Sequence, residues 1–505
     1  MYKQKLILAV LALATLFVAC NNDEAIEITE TYPVEISISF PEKDQDFQYQ
    51  GWNEKREIAA LRTDTRTANK LHLTPSGGDT YQAVSESEIN QYTEFAFIYP
   101  ASVSTVSTSD TLTQTLYINS QEGTLDGLAS YDYIWGTYTY NEEKENYAET
   151  SVLTSLMSFC KFHFTENGRP IEHISQVTIT SPTDSIHVVG KLNLGKGSIA
   201  SQNRGSMTIR NSQGLTNGVY AAFFPMETAL HFIVSTLDGK SYEAFLPEMM
   251  SFKAGETFIF SDIECSELEP AHVGDYYYSD ATWSTLLDES KKCVGIVYAL
   301  EDKNGNIAKN ISESTHGRVV ALQDCVEKVT WCITGVDIEG IEHQTILQDT
   351  MYVGSLPYLD GTANSFFSDK TPEQLTGIQI NPSTGEISAW YSQGALADFD
   401  GEGNTQQTVG LSGAYYAANY CMNYGRGLYG WYLPSAGELA LLWTIHRTDI
   451  ICNETHSVFK DFKEFGYWTS TEYDESNIWY VNFLSGMITK NSKASAYNVR
   501  PVIRF

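Results

Sequence analysis

The sequence predicts a mainly β protein: two β-sandwich units followed by an α+β unit. Three observations predict it. Apolar and polar residues alternate with a period of two in short runs from about residue 28 to 264. The composition favours strands, with 31 Tyr and 23 Phe. The texture then changes near residue 265, and seven of the nine Trp fall beyond it. At roughly 150 residues per domain, 505 residues give about three units. Hydrophobic residues make up 42%, enough for packed cores. Against 63 Asp and Glu stand 32 Lys and Arg, for a net charge of −31. That balance excludes nucleic acid as a partner and electrostatic attachment to an anionic membrane.

The chain opens with Lys3 and Lys5 before an apolar run at 6–18. A spanning helix needs about 20 apolar residues, so this run fits the core of a secretory signal. Leu16-Phe17-Val18-Ala19-Cys20 resembles a bacterial lipobox, although Phe17 stands where Leu is usual. Residues 1–19 are then a signal peptide, Cys20 the lipidation site and 20–30 a lipidated linker. A plain signal peptide with a chance Cys is the alternative. Lipid holds a protein by burying about 0.8 kcal/mol per CH₂, which needs no basic residues.

The first sandwich is expected over 31–148. Val34, Ile36, Ile38 and Phe40 alternate as a half-buried strand. Phe95, Phe97 and Tyr99 repeat the pattern and stop at Pro100, and Leu112, Gln114, Leu116 and Ile118 follow. The second sandwich is expected over 149–264. Its strands start at Phe162/Phe164, Val177/Ile179 and Leu192/Leu194, continue at Phe232/Val234 and end at Phe258/Phe260. Asn167-Gly168 and Asp238-Gly239 supply turns between them.

The order of these pieces resembles the fimbrillin family, the fimbrial subunits of Bacteroidota. The resemblance rests on the lipobox, the strand at 34–40 and Tyr131-Asp132-Tyr133-Ile134-Trp135-Gly136. It continues through Leu156-Met157-Ser158-Phe159, the strand from Tyr220 to Pro225, and Phe252-Lys253-Ala254-Gly255-Glu256-Thr257-Phe258. It implies a lipidated subunit exported to the cell surface at the outer membrane and assembled into a fimbrium. It also implies pilin partners bound by donor-strand exchange: an Arg-specific protease removes the first strand, and a neighbour's strand pairs with the exposed edge. Arg56, Arg62 and Arg66 are the candidate cleavage sites.

The third unit is expected over 270–505. Two helices are expected, one from Gly413 to Tyr424 and one opening at Ser435. Ser435-Ala436-Gly437-Glu438 has the form of a capping box, and Leu439, Leu442, Trp443 and His446 share one helical face. Gly430-Trp431-Tyr432-Leu433-Pro434-Ser435, Glu438, Trp468-Thr469-Ser470-Thr471, Trp479 and Arg500-Pro501 resemble the DUF1566, or Lcl C-terminal-like, family. That resemblance implies a C-type-lectin-like fold, related to the formylglycine-generating enzyme. Trp431, Pro434, Ser435, Glu438, Trp468, Thr469, Ser470, Arg500 and Pro501 are read as structural, with Arg500 paired to a buried acid.

Chemistry is sparse. No GxSxG, HExxH or Cys–His pairing occurs. The formylglycine-type enzymes need a Cys pair near the terminal strand, whereas the last Cys here is Cys452. The chain is therefore expected not to be an enzyme and to carry no cofactor. Asp398, Asp400, Glu402 and Asn404 resemble the start of a calcium loop, yet Val409 occupies the position where an EF-hand needs Glu. A simpler calcium site and a plain turn both stay open, and the metal is not identified. Sugar sites pair aromatic platforms with polar side chains, so Trp390 and Trp479 join those residues as candidate ligand contacts. Seven Cys follow Cys20 with no metal spacing, and Cys325–Cys332 and Cys421–Cys452 stay open as disulfides. The expected function is a fimbrial tip subunit that accepts a donor strand and presents an adhesive domain to a glycan or protein. An anchor pilin or free-standing surface lipoprotein is the alternative.

Overall fold

The computed structural model describes residues 32–505 apart from 51–56, 63–69, 78–79, 86–94, 101–105, 109–110, 139, 142–145, 148–150, 183–185, 303–304, 333–336, 342–349, 354–374, 381–382, 385–386, 392–393, 411–414, 425–427, 429 and 464. Strands dominate. The first five are β1 (Tyr32–Ser39), β2 (Ile58–Arg62), β3 (Lys70–Gly77), β4 (Thr80–Ser85) and β5 (Phe95–Tyr99). They form one sheet in the order β1, β4, β3, β2, β5, extended by the strand Ile134–Tyr138. β1 runs antiparallel to β4 from Tyr32↔Ser85 to Ser37↔Thr80. Among the described residues, its outer edge pairs with the two-residue strand Ser151–Val152 at Ile38 and Ser39. β2 is central, and Ile58, Ala59, Ala60 and Leu61 are all fully buried.

Strand pairing crosses residue 148. The strand Thr111–Tyr117 pairs with Ile186–Asn193, and Ser120–Gln121 pairs with Met207–Leu215. Gln121 fastens this crossing: its Nε2 donates to the Ala222 carbonyl and its Oε1 accepts from the Ala222 N–H, each at 2.9 Å. The second sandwich's core accordingly includes Leu116, Ile118 and Leu128 beside Phe159, Phe162 and Phe232. The Phe162 ring packs within 5.0 Å of Phe232 and 5.2 Å of Phe260.

The last strands of this sandwich are used within it. Thr257–Glu264 lies parallel to Ser158–Glu166, and Ser266–Glu267 pairs with Ser241–Phe252. The chain then enters the C-terminal unit, with one sheet around Cys293–Leu300 and Gly317–Ala321 and a second around Gly466–Glu472 and Asn477–Asn482. Three α-helices are described there: Gly401–Gly410, Tyr416–Met422 and Ala436–His446. The second is shorter than expected, and the first replaces the expected loop. The third is buried along ten of its residues, so burial extends beyond the expected apolar stripe to Glu438 and Thr444.

The seven described cysteines form no disulfide. Neither pairing left open by the sequence brings sulfurs together. Cys421 instead lies against Cys325 within one core cluster, where burial pushes its thiol well above the usual range.

Candidate functional site

The acidic segment expected to face a ligand turns inward. Asp398 is 6% exposed. Its Oδ1 accepts the Asp400 N–H at 2.9 Å, while Oδ2 accepts from Asn404 Nδ2 at 2.8 Å and Thr471 Oγ1 at 2.6 Å. Asn404 also donates to Ser470 Oγ at 3.3 Å. These contacts fix the start of the helix Gly401–Gly410 against the strand Gly466–Glu472. The oxygens a cation would need already face protein donors, so the ligand reading of Asp398 and Asn404 is corrected to an internal hub. Asp400 is exposed and caps the helix by accepting from Gly403 N–H at 3.1 Å. Among the described residues, no group of three or more His, Cys, Asp or Glu is arranged to hold a metal ion. Trp479 is fully buried, edge-on to Tyr473, and is corrected from platform to core. The side chain of Trp390 lies outside the described residues.

The remaining motif residues are buried within the C-terminal unit. Ser435 and Glu438 make the reciprocal capping box. Gly437 is needed there because a Cβ would meet the Asp398 carbonyl at 2.4 Å. Tyr432 donates to Glu438 Oε1 at 2.7 Å, and Arg318 pairs with the same oxygen. Burial still wins at Glu438 and raises its carboxyl above the ordinary value. Trp431 and Trp468 are buried, Thr469 accepts the Trp331 indole N–H through its carbonyl at 3.0 Å, and Ser470 N–H donates to the Pro434 carbonyl. Arg500 donates to Asp324 Oδ1 at 2.6 Å and to the Lys460 carbonyl at 2.9 Å, with its guanidinium 4.4 Å from the Phe462 ring centre. Pro501 accepts from Ala321 N–H.

A charge network joins this unit to the second sandwich. Arg318 pairs with Glu301 at 2.5 Å, Arg504 with Glu301 at 2.8 Å and Glu402 at 3.7 Å, and Arg210 with Glu402 at 2.9 Å. Burial alone would raise the Glu402 carboxyl, but Arg210 and Arg504 hold it below its ordinary value. Thr315 donates to the Gly239 carbonyl at 2.7 Å, and Ile233 of the sandwich enters the core made by Tyr277, Trp431 and Phe505. Beside Arg210 lies a cavity of about 370 Å³. Tyr117, Thr208, Gln406, Met422 and Trp431 line it. Because Arg210 and Glu402 neutralise one another, the cavity offers an apolar floor, hydroxyls and an amide rather than a net charge.

A second junction lies at the amino end. Segment 41–50 leaves β1 and plugs into the other sandwich. Phe47 is 1% exposed and meets the Tyr220 ring edge-on at 5.9 Å. Tyr49 donates to Asp132 Oδ2 at 2.8 Å, and Lys43 Nζ lies 2.8 Å from the same oxygen. Lys43 also sits 3.9 Å from the centre of the Phe159 ring. The alternating pattern of β1 gave no sign of this plug, because its partners lie more than 80 residues away. Of the cleavage candidates, Arg56 and Arg66 lie outside the described residues, as does Cys20. Arg62 is the last residue of β2, its side chain outside the described set.

These features describe a strand-built protein whose carboxy-terminal unit meets a β-sandwich through a partly exposed ion pair, a hydrogen bond and an interlocked apolar side chain. Residues 386–503 match the Lcl C-terminal domain family, the second half of the unit expected over 270–505. No curated protein sequence matches the chain. Among solved structures, the chain is similar to a fimbrial protein from Bacteroides ovatus at 15% identity and a TM-score of 0.30, over 89% of this chain and 94% of that one. It is also similar to a C-terminally truncated form of the tip fimbrial protein Mfa3 from Porphyromonas gingivalis, at 14% identity and a TM-score of 0.22. That match covers 43% of this chain and 80% of that one. A fimbrial assembly protein from Parabacteroides distasonis aligns at 10% identity and a TM-score of 0.23, over 47% of this chain and 100% of that one.

Proposed function

We propose that the chain is a fimbrial-type surface lipoprotein that keeps its first strand and displays its C-terminal unit as an adhesive domain. One observation carries this reading: segment 41–50, directly after β1, is built into the second sandwich through Lys43, Phe47 and Tyr49. Withdrawing the two aromatic rings alone forfeits about 1.5–3 kcal/mol each. A chain that keeps β1 also keeps whatever lipid sits on Cys20, and so stays at the outer membrane. Its role is anchoring and adhesion, not catalysis. The cavity beside Arg210 suits a neutral glycan end, whose ring face packs on aromatic and apolar surface while its hydroxyls meet Gln406 and Thr208.

The second reading is the tip subunit, in which β1 is cut away and a pilin neighbour's strand replaces it. The topology of β1 favours it, since among the described residues the outer edge is covered at two, and β4 would be left with an open edge. Of the three candidate sites, Arg56 alone precedes β2. Cutting at Arg62 or Arg66 and releasing the amino fragment would pull a central, fully buried strand from the sheet.

Limited digestion of the purified chain with an Arg-specific protease separates the two. Gel filtration under native conditions should find the fragment ending at Arg56 still bound to the remainder. Loss of that fragment, followed by uptake of a synthetic strand, would favour the tip.

A further inference from the structure

Lys43 and Asp132 form an enclosed amine–carboxyl pair with the components of a condensation. Their side chains are 5% and 0% exposed. Nζ lies 2.8 Å from Oδ2, so the carboxyl carbon it would attack is one bond beyond a direct contact. The Phe159 ring covers Nζ at 3.9 Å, and the Tyr49 ring centre lies 5.2 Å away. The Tyr49 hydroxyl donates to Oδ2 at 2.8 Å. The backbone that carries all three groups is held by local structure. Lys43 and Tyr49 flank the short 3₁₀ turn Gln45–Phe47, and Asp132 sits between the 3₁₀ helix Asp126–Tyr131 and the strand Ile134–Tyr138.

We propose that Lys43 and Asp132 join as an intramolecular amide, a covalent staple between segment 41–50 and the body of the protein. An ion pair and a neutral amine–acid pair differ by one proton across the 2.8 Å contact. The Nζ lone pair attacks Cγ of the acid form. A proton then passes from the nitrogen to the departing oxygen, with the Tyr49 hydroxyl placed to relay it. The C–O bond breaks, one water leaves, and the C–N bond remains. No oxidant, reductant or cofactor enters the balance. Fixed geometry supplies the effective concentration that a free amine and acid lack, and the covering rings keep water from reversing the step.

The staple deepens the strand-retaining reading without depending on it, because the plug holds segment 41–50 whether or not the bond forms. The test is the mass of the wild-type chain, purified and fully denatured. It should be one water lighter than its sequence, and peptide mapping should find one branched peptide joining Lys43 to Asp132. Lys43→Arg should restore the full sequence mass. After cutting at Arg56, the two fragments should migrate together on a denaturing gel. Full sequence mass, with Lys43 acylated by an amine reagent after denaturation, overturns the proposal. If the fragments stay together natively but part on denaturation, the staple fails while the strand-retaining function stands.

Discussion

Trp479 and Asp398 share a lesson about single residues. Each has the chemistry of a ligand contact, and each is consumed inside the protein. Replacing Trp479 by Ala removes a fully buried indole that packs on Tyr473, and should destabilise the C-terminal unit by about 3–5 kcal/mol. Chemical denaturation followed by fluorescence would read this, and glycan binding per folded molecule should not change. Arg500 was singled out through the family motif it resembles, and in the structure its guanidinium meets Asp324 Oδ1 at 2.6 Å. The burial of Trp479 was not legible in the sequence, because an aromatic side chain looks the same there whether it faces a sugar or a core. Lys43 gave no signal either: its partners Asp132 and Phe159 belong to other elements far along the chain.

At the level of elements, local signals were readable where the motif closes on itself. The helix Ala436–His446 announced its start through Ser435 and Glu438, and both halves of the box are present. Ser435 also donates to the Asp398 carbonyl at 2.7 Å. Ser435→Ala uncaps the helix's third N–H and removes one of the two donors to that carbonyl, the Gly437 N–H remaining at 3.1 Å, so the expected cost is about 1 kcal/mol. Ser435→Thr should recover much of it, as measured by the denaturation midpoint of the C-terminal unit. The helix Gly401–Gly410 was unreadable for the opposite reason. Its sequence carries Gly at 401, 403 and 410 and little apolar periodicity, so its stability comes from Asp400 at one end and from packing on Gly466–Glu472. An acidic, glycine-rich stretch reads as a turn unless the neighbouring sheet is known.

For the whole molecule, the period-2 pattern conveyed the mainly β architecture, while the allocation of strands between sheets did not follow from it. Thr111–Tyr117 has the same alternation as β1 yet pairs across residue 148 with Ile186–Asn193. The seam between the second sandwich and the C-terminal unit was equally invisible, because Arg210 and Glu402 lie 192 residues apart. Its pH dependence follows from the depressed Glu402 carboxyl. The ionised form is favoured in the folded state, so the contribution is complete above the ordinary value of 4.5 and fades as pH falls through the lower folded value. Arg210 is about a third exposed and solvent screens it, so Arg210→Ala should cost about 0.5–1 kcal/mol at neutral pH. It should also flatten the loss of stability on acidification, in calorimetric scans from pH 7 downward.

Ile233 sets the mechanical character of this arrangement. It belongs to the strand Met226–Thr236, bonded on both sides within the second sandwich, yet its side chain completes the cluster around Trp431 and Phe505. A pull on the C-terminal unit would therefore load that strand across its hydrogen bonds to two neighbours, with the covalent connection near residues 265–270 sharing the tension. The seam would act as a shear joint, and the force needed to part it would be set by side-chain interlock and the Arg210–Glu402 pair rather than by the slack of a tether.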